Sequence, residues 1–90
     1  MSTNEISVKI IDIQGNGDCS YGHKVGEQFR IPDERGKICS AAYYALYPYI
    51  NGLNYGASFP WEEDKDSCTI GCPDYKNSVV FKITRKETKE

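Results

Sequence analysis

The sequence predicts an α+β domain in which one helix covers a small, mostly antiparallel sheet, with the element order β-β-α-β-β. Two observations favour this class: short apolar runs with alternating side chains near both ends of the chain, and one apolar stripe at helical spacing between them. Turns rich in glycine and proline separate these segments. Ninety residues suffice for a single domain, so we expect a core over residues 5–85 and a solvated tail at 86–90.

The first two strands are expected at residues 6–13 and 24–31. ISVKIIDI is apolar on both of its alternating sides, which favours a strand inside the sheet over one at its edge. In KVGEQFRI, the residues expected to be buried are Val25, Phe29 and Ile31. Two further strands are expected at 67–71 and 78–85, joined by a turn at CPDYKN, where proline, aspartate and asparagine suit a chain reversal.

The helix is expected at residues 40–53, with Ser40 as its N-cap. Pro48 lies inside it and lacks the amide that would bond the Tyr44 carbonyl, so we expect a kinked helix or two short helices. The apolar stripe that would face the sheet contains Ala42, Ala45, Leu46, Tyr49, Ile50 and Leu53.

Charge and hydropathy exclude several function classes. Eleven basic and thirteen acidic residues give a net charge of −2, which disfavours a nucleic-acid partner, whose phosphates require cationic neutralisation. No apolar run approaches the roughly 18 residues that span a bilayer, so no membrane segment is expected. No secretory signal is recognisable in MSTNEISVKI, so we expect a cytoplasmic protein, whose thiols would stay reduced.

Four cysteines and a single histidine are the residues with distinctive chemistry. Cys19 and His23 lie in a glycine-rich loop, Cys39 precedes the helix, and Cys72 lies in the last turn. Thiolate and imidazole are the usual ligands of structural zinc, so these four residues are the predicted site for zinc or another transition metal. The protein would then be a metal-binding accessory module rather than an enzyme. Cys68 lies inside a predicted strand and is expected to be an ordinary core residue.

Two alternative functions remain open beside metal binding. It also remains open that all four cysteines are structural residues buried in the core. In the first, the protein is a redox or sulfur-handling protein with Cys39 as its reactive thiol and His23 as base, because the positive end of a helix dipole stabilises a thiolate. In the second, it is a non-catalytic interaction domain that binds a protein partner or a second copy of itself. Tyrosine and tryptophan are favoured at interfaces, and the expected partner surface contains Tyr43, Tyr44, Tyr47 and Trp61.

The whole chain resembles a short prokaryotic family of unknown function. The matching pieces occur in one order over nearly all ninety residues: a cysteine followed by GHKVGEQF, then GKICSAAYYALYPYI, FPWEED, CPD and a strand such as VVFKI. The resemblance implies a site where the glycine-rich loop meets the helix, and it leaves Cys68 outside the shared signature. The residues inside that signature are Cys19, His23, Cys39, Trp61, Cys72, Pro73 and Asp74.

Overall fold

The computed structural model describes residues 2–17, 19 and 21–89 and contains one α-helix and one four-stranded sheet among them. A short 3-10 helix at Arg35–Lys37 precedes the α-helix. The order β-β-α-β-β is the predicted one, and the α+β class is confirmed. The elements are β1 (Ser2–Ile13), β2 (Gln28–Ile31), α1 (Ser40–Asn54), β3 (Ser67–Gly71) and β4 (Val79–Lys89).

The sheet has the strand order β2-β1-β4-β3, and every neighbouring pair is antiparallel. β1 is therefore internal, as its two apolar sides indicate. Its pairing with β4 shifts register between Ile10 and Asp12, so that Ile11 turns towards solvent while Ile10 and Ile13 both remain buried. Phe29 and Ile31 of β2 are buried as predicted. Val25 is 59% exposed, because β2 begins only at Gln28 and leaves Val25 in the preceding turn.

The helix α1 packs on one face of the sheet and encloses the core there. Ala42, Leu46, Ile50 and Leu53 are its buried residues, and all four belong to the predicted stripe. They meet apolar side chains of β1 and β4, the two central strands. The opposite face of the sheet carries exposed polar residues such as Lys9 and Lys82.

Pro48 does not divide the helix: of the two expected forms, a single helix that contains Pro48 is present rather than two short ones. α1 runs through Pro48 as a single element, and both Pro48 and Tyr44 lie on its exposed side. Water can therefore solvate the Tyr44 carbonyl that Pro48 cannot bond, which lowers the cost of the missing hydrogen bond. The N-cap is Cys39 rather than Ser40, since the Cys39 carbonyl already accepts a helical bond from the Tyr43 amide at 2.8 Å.

The last strand is longer than the alternation of VVFKI suggests. β4 continues to Lys89 and pairs with the start of β1, from Ser2↔Lys89 to Glu5↔Lys86. Residues 86–89 therefore form strand instead of the predicted tail. Glu5 and Lys86, which carry opposite charges, lie directly opposite each other in this pairing, an arrangement that favours the strand.

Arg85 connects β4 to the end of α1. Its guanidinium donates to the Leu53 carbonyl at 2.8 Å, to the Ala57 carbonyl at 2.9 Å and to the Asp66 carboxylate at 2.7 Å. The Arg85 side chain is only 10% exposed. Because the last carbonyls of a helix lack partners within the helix, a cation at this position satisfies them and complements the helix dipole.

In the described part of the chain, no helix combines the length and the apolar character that crossing a bilayer requires.

Candidate functional site

One cavity of about 250 Å³ is lined by all four predicted site residues, Cys19, His23, Cys39 and Cys72. They come from three separate parts of the chain: the loop between β1 and β2, the start of α1, and the turn between β3 and β4. The remaining wall residues are Tyr21, Ala41, Ala42, Pro73, Asp74, Asn77 and Val79. The three cavity cysteines are half-buried, and none of them forms a disulfide.

The glycine-rich loop is attached directly to the β3–β4 turn. Gly15 has a φ of +73°, and a Cβ there would lie 2.2 Å from the Lys76 carbonyl oxygen, so only glycine permits this approach. The next amide, of Asn16, donates to Asn77 Oδ1 at 3.0 Å. The Gln14 amide donates to the Ser78 carbonyl at 2.9 Å. These contacts bring the segment that carries Cys19 beside the turn that carries Cys72.

Cys72 is held by its own hairpin. Its amide donates to the Val79 carbonyl at 2.9 Å, and the Val79 amide donates in return to Cys72 Sγ at 3.2 Å. The Cys72 carbonyl, which would normally take that bond, accepts one from Ser78 Oγ at 2.9 Å instead. Asp74 closes the turn by accepting from the amides of Lys76 and Asn77. The sulfur of Cys72 therefore acts as a hydrogen-bond acceptor at a fixed place in the cavity wall.

His23 is the buried polar residue of the site, with an exposed fraction of 6%. Its Nδ1 lies 2.8 Å from Glu27 Oε1, and its Nε2 accepts the Cys39 amide at 3.1 Å. Since Nε2 uses its lone pair for that amide, we assign the proton of the neutral ring to Nδ1, which donates to Glu27. The ring packs at centroid distances of 4.8, 5.6 and 6.1 Å against Tyr21, Phe29 and Phe81.

This geometry changes the role of His23. To serve as a metal ligand it would have to release the Cys39 amide, because Nε2 has a single lone pair. To serve as a base it would need a contact with the Cys39 thiol, whereas its hydrogen bond reaches the Cys39 backbone. Its hydrogen bond therefore fixes the backbone of Cys39, the N-cap residue of α1.

The four predicted metal ligands line one cavity, but they are not grouped around a common point as metal ligands are. Over residues 2–17, 19 and 21–89, no group of three or more histidine, cysteine, aspartate or glutamate side chains is arranged to hold a metal ion. Zinc or another transition metal at Cys19, His23, Cys39 and Cys72 therefore stays a prediction.

Glu27 is the site residue that sequence reasoning missed. Its carboxylate accepts from His23 and, at 3.3 Å, from the Lys24 amide, and the hydrogen bond from His23 holds the pKa of Glu27 below its usual range. The sequence feature that could have indicated this contact is the spacing of four residues between His23 and Glu27. In a loop that spacing predicts no contact, and here the turn at Gly26, with its φ of +99°, provides it.

Cys68 is separate from the other cysteines in position and in chemistry. It lies in β3 opposite Ile83, is fully buried, and does not line the cavity. Burial raises the pKa of the Cys68 thiol to about 11, which keeps it protonated at neutral pH. It is the ordinary core residue that the sequence suggests.

The residues predicted as a partner surface lie outside the cavity. Tyr44, Tyr47 and Trp61 are 84%, 51% and 58% exposed, and Tyr43 is half-buried beside them on α1. Trp61 packs beside Phe59 and Tyr49, at ring centroid distances of 5.1 and 6.3 Å.

Comparisons of the chain with models of protein families, with curated proteins and with solved structures find no match. The resemblance to a short prokaryotic family stays a prediction.

Proposed function

We propose that the protein is a cytoplasmic thiol protein whose reactive group is Cys39, with Cys19 and Cys72 as neighbouring thiols around the same cavity. The observation that carries the proposal is the meeting of three half-buried, unpaired cysteines from three chain segments at one small cavity. A reducing compartment suits such a site, since it keeps all three thiols available.

Cys39 is chosen because of its place at the start of α1. As N-cap residue it lies at the positive end of the helix dipole, where a thiolate is stabilised, and it makes no side-chain capping bond. Its backbone is held by His23, which is held in turn by Glu27. The thiol is therefore presented to the cavity from a fixed point, while Cys72 already uses its sulfur to accept the Val79 amide.

The chemistry proposed is thiol exchange with the persulfide or disulfide of a small thiol. The Cys39 thiolate attacks one sulfur of the donor, a new S–S bond forms to Cys39, and the donor's S–S bond breaks. The departing thiolate keeps the electron pair of the broken bond. The cavity of about 250 Å³ limits the transferred group to a small one.

Site-resolved alkylation tests the proposal. The folded protein is treated with limiting iodoacetamide, and each cysteine is quantified by peptide mass spectrometry, with buried Cys68 as the internal control. Cys39 is expected to react about tenfold or more faster than Cys19 and Cys72, because activated thiols at helix starts differ from ordinary ones by at least that factor. A small-molecule disulfide should form its mixed adduct on Cys39, and Cys39→Ser should abolish it. Equal, slow labelling of the three cavity cysteines would contradict the proposal.

A second candidate function is binding of zinc or another transition metal, and the bond from the Val79 amide to Cys72 Sγ favours it. Hydrogen bonds to sulfur are among the contacts that orient and tune thiolate ligands in metal centres. Cys19, Cys39 and Cys72 would supply the ligands, and His23 would join them only by releasing the Cys39 amide. Elemental analysis after purification under reducing conditions, without chelator or metal affinity resin, decides this. Less than about a tenth of an equivalent would exclude a structural ion, since structural zinc binds tightly.

A further inference from the structure

We propose that a cleft between α1 and the segment after β2 binds a small carboxylate with an apolar body. The cleft has a volume of about 300 Å³ and shares no wall residue with the cavity of the cysteines. Ligand pockets in proteins measure about 300–1,000 Å³, so the size of this cleft suits a small molecule. Its walls combine buried apolar side chains with one arginine that has no partner.

The apolar part of the cleft comes from three elements. Ile6 of β1, Ile31 of β2 and Ile50 of α1 line it, and each of them is at most 9% exposed. Pro32, which follows β2, adds a further apolar wall residue. An apolar group placed against these side chains leaves water, and the release of apolar surface from water favours binding. The ligand is therefore expected to have an apolar body.

One flank of α1 supplies two aromatic rings. Tyr43, Tyr47 and Ile50 follow one another at spacings of four and three residues, so they lie on the same side of the helix, and all three line the cleft. The rings of Tyr43 and Tyr47 have centroids 6.0 Å apart and planes inclined at 47°. Aromatic groups pack against such rings in tilted or offset arrangements. A planar apolar body therefore suits this wall.

Arg35 supplies the charge of the cleft. Of the three arginines in the chain, Arg30 is paired with Glu5. Arg85 is paired with Asp66. Over residues 2–17, 19 and 21–89, the Arg35 guanidinium has no ion pair or hydrogen bond, and no carboxylate lines the cleft. A guanidinium matches the two oxygens of a carboxylate, and one positive charge balances one negative charge, so a carboxylate fits better than a doubly charged phosphate.

The residue before Arg35 does not compete for its guanidinium. The Glu34 carboxylate already accepts the Arg30 amide at 2.9 Å and the Lys37 ammonium at 3.1 Å. The backbone of Arg35 is also held, because its amide donates to the Pro32 carbonyl at 3.2 Å. Arg35 therefore extends from a fixed point beside the cleft, with its charge available to a ligand.

Titration of the full chain with phenylacetate, followed by proton–nitrogen NMR correlation spectra, tests the proposal. The amide signals of Arg35, Tyr47 and Asn51, which line the cleft, should shift and saturate with a Kd of about 0.1–1 mM, a range that suits a ligand of about ten heavy atoms. Phenylacetamide has the same shape without the charge and should bind about tenfold more weakly, because it loses the charge-assisted hydrogen bonds. Acetate lacks the ring and should not saturate the signals below about 20 mM.

Two variants separate the contribution of Arg35 from that of net charge. Arg35→Gln should weaken phenylacetate binding about tenfold and leave phenylacetamide binding unchanged. Lys37→Gln is the matched control, since Lys37 belongs to the same 3-10 helix but does not line the cleft. It removes the same charge and should keep the wild-type affinity within about twofold, because an exposed charge is screened by salt. The spectra also establish that each variant is folded.

Three outcomes would overturn the proposal. The first is the absence of saturable shifts at cleft residues up to about 20 mM phenylacetate. The second is equal affinity for phenylacetate and phenylacetamide. The third is an equal loss of phenylacetate affinity in Arg35→Gln and Lys37→Gln, which would show attraction to net charge alone.

Discussion

Replacing His23 by phenylalanine should destabilise the protein by about 2 kcal/mol. Phenylalanine keeps an aromatic ring against Phe29 and Phe81 but offers no acceptor to the Cys39 amide, which His23 Nε2 accepts at 3.1 Å. An unpaired, partly buried amide costs about 1–3 kcal/mol. Loss of the bond to Glu27 adds little, because the Glu27 side chain is 39% exposed and regains water. For a domain of this size the expected decrease in Tm is about 8–16 °C.

His23→Gln is the matched variant, because the glutamine amide can place an acceptor near the position of Nε2. The assay combines urea unfolding with hydrogen exchange of the Cys39 amide measured by NMR. We expect rapid exchange in the phenylalanine variant and retained protection in the glutamine variant. A phenylalanine variant within about 0.5 kcal/mol of the wild type, with its Cys39 amide still protected, would refute the role assigned to His23.

Three further predictions concern the stability of the fold. Arg85→Met should lower the free energy of unfolding by about 2–3 kcal/mol in urea titrations, because the Leu53 and Ala57 carbonyls and the Asp66 carboxylate all lose the Arg85 guanidinium. A loss below about 0.5 kcal/mol would contradict this. Gly15→Ala should lower Tm clearly more than Gly17→Ala. Both positions have positive φ, but only Gly15 lies against the Lys76 carbonyl. Equal decreases in Tm would argue against the contact between this loop and the β3–β4 turn. The pKa of Cys68 is about 11 in the folded protein and about 9.0 in the unfolded chain. Between these two pH values the unfolded chain has lost a proton that the folded chain keeps. Stability should therefore fall between pH 9 and 11, and Cys68→Ala should remove that part of the decline.

The arrangement of the elements could be predicted because local patterns decide it. The alternation around Val8 and Phe81 marks strands, and the stripe through Leu46 marks the helix, since burial on one side imposes these periods. The extension of β4 to Lys89 escaped prediction because it depends on pairing with residues at the other end of the chain. No local sequence pattern predicts that a strand pairs with residues more than eighty positions away in the chain.

The convergence of Cys19, His23, Cys39 and Cys72 on one cavity could be predicted, and the hydrogen-bond geometry there could not. Cys19, Cys39 and Cys72 are distinctive residue types near turns and a helix start, and such positions converge readily. What the sequence does not indicate is which atom of His23 meets which atom of Cys39. Both a bond from the thiol and a bond from the amide fit the same spacing and the same tautomer, so only the folded backbone around Cys39 distinguishes them.

The cavity has walls from three distant segments, so it exists only while the chain is folded. Any compound that contacts Cys19, Cys39 and Cys72 together must bind the native state in preference to the unfolded one, and its binding energy adds to stability through thermodynamic linkage, by RT ln(1 + [L]/Kd). A thermal-shift screen of small thiol-reactive or thiophilic compounds would therefore report occupancy of the site without any assay of activity. Unfolding would separate the three thiols and would abolish any reaction or binding that requires them together.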